Sequence, residues 1–163
     1  MTEVAQKTKY ESSLIGAYLV TGTVGNVGMP GAPIMHFSLV VVPGAHTVSG
    51  TVEITQALAS PNGVIVVKNV TGQIRPTGFG TVTQVVSLEG EYVQSFPPPA
   101  IGSYLAKFTA NMAIDNNWNG TGGFTYENHD VNNVPVKKQY SVFQLMRAQA
   151  ACLSSHLPPG SAS

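Results

Sequence analysis

Charge is what this sequence has least of. Lys plus Arg number 8 and Asp plus Glu 8 among 163 residues, so the formal net charge is zero and charged residues make up only 10%. An average soluble domain carries roughly 25%. Phosphate recognition draws on clustered Lys and Arg. Here the local basic cluster is Lys137-Lys138, with Arg147 further on, which reads as a solvated face, and no nucleic-acid partner is expected. Scarce charge also leaves little repulsion between copies. A neutral β-protein associates unless its strand edges are paired or covered, so a closed barrel or a specific homo-oligomer is expected.

Cysteine is almost missing too. The single Cys152 has no partner for an intramolecular disulfide. With no cation or His beside it to activate the thiol, it reads as a small buried hydrophobe. No run approaches the roughly 18 apolar residues that span a bilayer, so no transmembrane segment is expected. The opening MTEVAQKTKYESS lacks the apolar stretch of a secretory signal. The expected compartment is the cytoplasm by default, with signal-less export as the alternative. The length suits one domain with a real core: a flexible stretch over 1–11, a β-rich domain over 12–154, and a disordered tail over 155–163.

What is present is strand text. Residues His36 to Gln56 read HFSLVVV-PGAH-TVSGTVEITQ. Phe37, Leu39 and Val41 alternate with more polar neighbours, and so do Val48, Val52 and Ile54 after the break. A period of two is the pattern of a half-buried strand, and Pro43-Gly44 punctuates the two runs as a hairpin. Ser103 to Asp115 is the second strong strand, with Tyr104, Ala106, Phe108, Ala110, Met112 and Ile114 on one face. Leu105 and Ala113 are exceptions to its alternation. Ser12 to Val24, Val64 to Val70 and Thr81 to Glu89 also read as strands. Thr71-Gly72 and Glu89-Gly90 read as turns, Gln73 to Arg75 and Glu91 to Phe96 as short strands beyond them. The run Val64 to Val70 alternates imperfectly, as if covered on both faces. Phe124 and Tyr126 mark a further hairpin strand, followed by a loop from Glu127 to Val134. Tyr140 to Ser154 changes character: it has neither Gly nor Pro, and Phe143, Met146, Ala150 and Leu153 recur at helical spacing. One C-terminal helix is predicted over about 140–154. The expected fold is mainly β, an antiparallel meander of about eight strands forming a barrel or a sandwich, with that helix.

Three segments invite a binding role. Gly25 to Pro33, GNVGMPGAP, is a connecting loop or, on a sharper reading, a binding loop carrying Met29 and Pro30. It lacks the Lys-Ser/Thr ending of a phosphate loop. Pro97-Pro98-Pro99 ends any ladder and favours a polyproline II segment, a stiff loop without the basic residue that accompanies an SH3-type ligand. Trp118, the one tryptophan, sits in the polar DNNWNGTGG. It serves either as a stacking platform for a sugar or, more plainly, as a ring packed against the core edge.

Catalytic chemistry is hard to find. His36, His46, His129 and His156 share no metal-ligand spacing. His129 and Asp130 are adjacent, and adjacent strand residues point apart. No carboxylate pair has a spacing that dictates a dyad. Asp115-Asn116-Asn117 falls short of an EF-hand loop. No catalytic residue, cofactor or metal site is assigned.

The segment GMPGAPIMHFSLVVVPGAHTVSGTVEITQA (Gly28 to Ala57), the later Trp118 loop and the NVPV at Asn133 to Val136 together resemble a small family of uncharacterised β-rich bacterial proteins, a domain of unknown function of the Burkholderia type. That resemblance implies structure and transfers no catalytic residue. A weaker similarity is to avidin-like barrels, whose strands also read as Gly-Thr-rich hairpins. The aromatic set for biotin is missing here, so biotin binding is not carried over. Three functions follow: a non-enzymatic β-module acting through protein contacts, chiefly self-association; a carrier of an apolar or sugar ligand, its mouth lined by Gly25–Pro33, Pro97–Pro99 and the Trp118 loop; or a small-barrel isomerase or cyclase, which a histidine coupled to Glu53 in one cavity would favour. Contact residues for a partner or ligand are Met29, Pro30, Pro98, Trp118, Phe143 and Met146.

Overall fold

The alternating runs fold as strands, and each pairs with the next. A computed structural model describes residues 16–58, 63–78 and 80–140. Along it run β1 (Tyr18–Val24), β2 (Ile34–Val42), β3 (Thr47–Thr55), β4 (Val64–Pro76), β5 (Gln84–Ser95), β6 (Ser103–Ile114), β7 (Gly120–Tyr126) and β8 (His129–Lys138). All neighbours are antiparallel, and β8 returns to β1 to close a barrel in meander order. The closed barrel thus settles the choice between barrel and sandwich. The segment 140–154, read as a helix, lies outside the described residues apart from Tyr140.

Eight strands enclose a space just wide enough for side chains. Phe37, Leu39, Val41, Val48, Val52 and Ile54 of the β2–β3 hairpin point into it, as their alternation predicts, and so do Phe108, Ala110, Met112 and Ile114 of β6. The buried apolar residues form one cluster. Burial of this apolar surface is the main drive to fold. Apolar in and polar out is the reverse of a barrel that meets lipid with its outer face. No helix among the described residues is long and apolar enough to cross a membrane.

Space inside so narrow a barrel is shared by a rule of opposites. Gly22 stands opposite Phe37, Gly50 opposite Leu39, Gly72 opposite Leu88, Gly90 opposite Phe108, and Gly122 and Gly120 opposite Met112 and Ile114. A large inward side chain is thereby matched with an empty site on the adjoining strand. At Gly22 a methyl group would strike the Phe37 ring, and at Gly72 it would strike the Ser87 carbonyl oxygen.

This rule explains two corrections. Thr71-Gly72 and Glu89-Gly90 are not turns, because β4 and β5 run straight through them. The inward series Val70, Gly72, Ile74 and Leu88, Gly90, Tyr92 keeps its period across each glycine. The glycines serve close packing rather than reversal. Val64 and Val66 are exposed, so the upper part of β4 is covered on one face rather than two. Glu127 to Val134 is not a loop either. A two-residue turn at Glu127-Asn128 leads at once into β8, where Tyr126 pairs with His129. Small bulges on β3–β4 and β7–β8 interrupt pairing and sharpen the local twist.

Strand direction sorts the connections between two ends. The upper end holds the β1–β2, β3–β4, β5–β6 and β7–β8 connections. The lower end holds the β2–β3, β4–β5 and β6–β7 connections, the start of β1 and the exit of β8.

Candidate functional site

The sequence nominated residues that the barrel separates. Met29 and Pro30 are exposed in the β1–β2 connection, and Pro98 is exposed in the β5–β6 connection; both belong to the upper end. Trp118 belongs to the lower end. The mouth expected from these three segments therefore does not assemble. Phe143 and Met146 lie outside the described residues. The proline run is no extended polyproline II segment: the Ala100 amide donates to the Pro97 carbonyl at 3.2 Å, closing a turn around a cis Pro98–Pro99 peptide.

Trp118 packs against the core edge. It is 3% exposed, its ring lies 5.9 Å from that of Phe37, and its indole N–H donates to the Tyr18 hydroxyl at 3.4 Å. Asp115 builds the turn that carries it there. One carboxylate oxygen accepts from the Asn117 amide at 2.8 Å and from the Asn119 amide at 2.9 Å. Trp118 itself takes a left-handed backbone with φ 61°, an unfavourable choice for a bulky residue, offset by burial of the ring. The Asp/Asn content that invites a metal reading thus has a turn-forming use. Among the described residues no group of three or more His, Cys, Asp or Glu is placed to hold a metal.

Among the described residues the histidines do not meet carboxylates in a cavity. His36 stands opposite Glu53 on the outer face, and its Nε2 lies 3.3 Å from the Thr55 hydroxyl. His129 rests its ring 5.3 Å from Tyr126, while Asp130 accepts from the Thr125 hydroxyl at 2.8 Å. Neighbours in sequence thus point to opposite faces, as a strand requires.

Titration is perturbed at the upper end, where tyrosines gather around Glu127. Tyr126 donates to Gln56 Oε1 at 3.0 Å and Tyr104 to Glu127 Oε1 at 3.3 Å. The Tyr92 hydroxyl is buried without a well-formed hydrogen bond among the described residues. Burial pushes its phenol up to about 12; the Glu127 carboxylate and the neighbouring tyrosines add to the rise, and the Glu127 backbone opposes it. Tyr104 and Tyr126 shift upward too, through lost hydration first and the Glu127 charge second. The buried Tyr92 and Tyr126 cap the core at this end.

The feature that sequence reasoning missed rises from this end. β5 and β6 pair over twelve positions, from Gln84 opposite Ile114 to Ser95 opposite Ser103. Their neighbours stop short: the β4 ladder ends at Val70 opposite Gly90, and the β7 ladder at Phe108 opposite Tyr126. The last five pairs, from Glu91–Lys107 to Ser95–Ser103, therefore form a two-stranded arm beyond both adjoining ladders. Val93 is 68% exposed, Leu105 61% and Ile101 100%, with Phe96 and Tyr104 also open to solvent. Val93 and Leu105 face one another across the ladder. The Phe96 and Tyr104 rings lie 5.1 Å apart. Tyr104 was expected on the buried face, but it sits above the point where the barrel covers β6, and it is 41% exposed. One signal was legible: Leu105 breaks the alternation of its strand.

A family described as a domain of unknown function (DUF1842) matches residues 15–131, a span that takes in β1 through β7 and the start of β8. No curated protein matches the chain.

Proposed function

We propose, from the premise that the chain belongs to the DUF1842 family, a domain of unknown function, that it is a non-enzymatic β-barrel module that acts through protein contacts, chiefly with copies of itself. The observation that carries this reading is the β5–β6 arm. It holds Val93 and Leu105 of β5 and β6, and Ile101 of their connection, in solvent, beyond the last pairs that β5 makes with β4 and β6 with β7. Contiguous exposed apolar groups mark interaction sites on soluble proteins. A formal net charge of zero adds little electrostatic resistance to contact between like chains. The barrel interior is given over to packing rather than to a ligand, since its inward positions carry bulky apolar side chains matched to glycines.

The test is light scattering of the purified protein across a dilution series, beside a Val93→Glu, Ile101→Ser double variant. The wild type should form a discrete multimer, and the variant should shift toward monomer with an unchanged melting temperature. A wild type that stays monomeric at every concentration would overturn the reading. A monomer that holds a constant small adduct in native mass spectrometry would replace it with the carrier.

A further inference from the structure

We propose that the outer face of β4–β7 is a binding groove for a neutral, hydroxyl-rich chain, an oligosaccharide. Its centre lies on the barrel wall below the β5–β6 arm, so it stands independently of self-association. Register builds the face in rungs. Glu89, Thr109 and Thr125 stand side by side across β5, β6 and β7, and one rung along Ser87, Asn111 and Gly123 do the same. On β4, Thr71 and Gln73 continue the two rungs. These positions alternate with the buried ones, so their side chains point outward. Short residues such as Ser87, Thr109 and Gly123 leave the middle of the face low, while Arg75, Lys107 and Asn132 stand at its margins. Three hollows of about 530, 330 and 600 Å³ lie along it. Thr109 lines all three, Glu89 joins the first to the third, and Asn111 joins the second to the third, so they run together as one groove.

The margins are braced and the centre is unspent. Arg75 donates twice to Gln73 Oε1, at 3.2 and 2.6 Å, and Thr125 donates to Asp130 at 2.8 Å. Ser87, Glu89, Thr109 and Asn111 are exposed, and among the described residues their side chains make no hydrogen bond. A hydroxyl or an amide both donates and accepts, which matches a sugar hydroxyl in either sense. Strands lie about 4.8 Å apart and outward residues about 7 Å apart along a strand, so the grid meets a chain of rings at several points. The lining charges balance, Glu89 and Glu91 against Arg75 and Lys107, whereas a phosphate backbone calls for an excess of cations. Across these rungs β5 and β6 are paired on both sides, so an extended peptide has no strand edge to join.

Amide NMR of the isotope-labelled protein tests the groove, with maltopentaose, cellopentaose and chitopentaose as separate probes. At least one should shift the signals of Ser87, Glu89, Thr109 and Asn111 in a saturable way. Asn111→Ala should weaken that binding by roughly 2- to 10-fold, as for one neutral hydrogen bond. Thr109→Arg, which fills the point common to the three hollows, should abolish it. Both positions are exposed, so both variants should keep the wild-type melting temperature. Silence with all three probes, shifts confined to residues outside the groove, or binding that both variants leave intact overturns the proposal. Saturable binding of heparin with none of the neutral chains also overturns it, and assigns the face to its lysine and arginine.

Discussion

Tyr92 shows what a single residue contributes at the upper end. Its ring fills the barrel and is 5% exposed, yet its hydroxyl lacks a well-formed partner among the described residues. A buried hydroxyl of this kind costs about 1–3 kcal/mol in desolvation. Tyr92→Phe is therefore expected to be neutral or to stabilise by about 1 kcal/mol, read from the urea midpoint. The same burial sets a pH dependence. The phenol titrates near 10 in the unfolded chain and at about 12 in the folded one. Below pH 10 both states hold the proton and the contribution to stability is complete. From 10 to 12 the unfolded chain releases it first, so stability falls across that window. Chemical denaturation at stepped pH should show the fall, and it should be smaller in Tyr92→Phe. Gly72 is a second residue with a sharp expectation. A methyl group there would meet the Ser87 carbonyl oxygen, so Gly72→Ala should lose about 1–3 kcal/mol in the same assay. In the sequence Gly72 reads as a turn, because glycine after threonine is a common turn signal. The deciding fact, Leu88 directly opposite, belongs to another strand.

At the scale of the element, β6 is the most informative strand. Phe108, Met112 and Ile114 are fully buried along its inner face, and its partner β5 matches it over the full ladder. Phe108→Ala should cost about 3–5 kcal/mol, and Phe108→Asp should prevent folding, since it places an unpaired charge in the core. Soluble expression of Phe108→Asp at wild-type thermal stability would contradict the assignment. The inner face of β6 was legible because burial writes a period of two into any strand. Its upper end was legible only as an irregularity at Leu105. The arm exists because β4 and β7 end their pairing lower down, and no local pattern in β5 or β6 records where other strands stop. The β2–β3 hairpin lies at the other extreme. Its strands, its break at Pro43-Gly44 and its buried residues all follow from local alternation and turn chemistry.

For the whole molecule, closure is the weak point. β1 and β8 share three register pairs, Gly22–Lys138, Thr23–Lys137 and Val24–Val136, against twelve between β5 and β6. Two bonds extend the seam: Gly25 donates to the Pro135 carbonyl at 3.0 Å and Gln139 to the Thr21 carbonyl at 2.8 Å. Short ladders open locally at lower free energy than long ones. Hydrogen exchange should therefore release the amides paired between β1 and β8 well before those of the lower half of β5 and β6. Equal protection at both places would contradict this order. The contrast also marks what each level of description decides. Local patterning specifies a β-rich chain with low charge, its strongest hairpin and most of the inward face, because these depend on neighbours two residues apart. Pairing across the barrel settles that the sheet closes, that glycines stand opposite bulk, that the nominated loops lie at opposite ends, and that the β5–β6 arm outruns the ladders beside it. Those are matters of register and ladder length between strands distant in sequence, and they are set by the packing of the whole barrel.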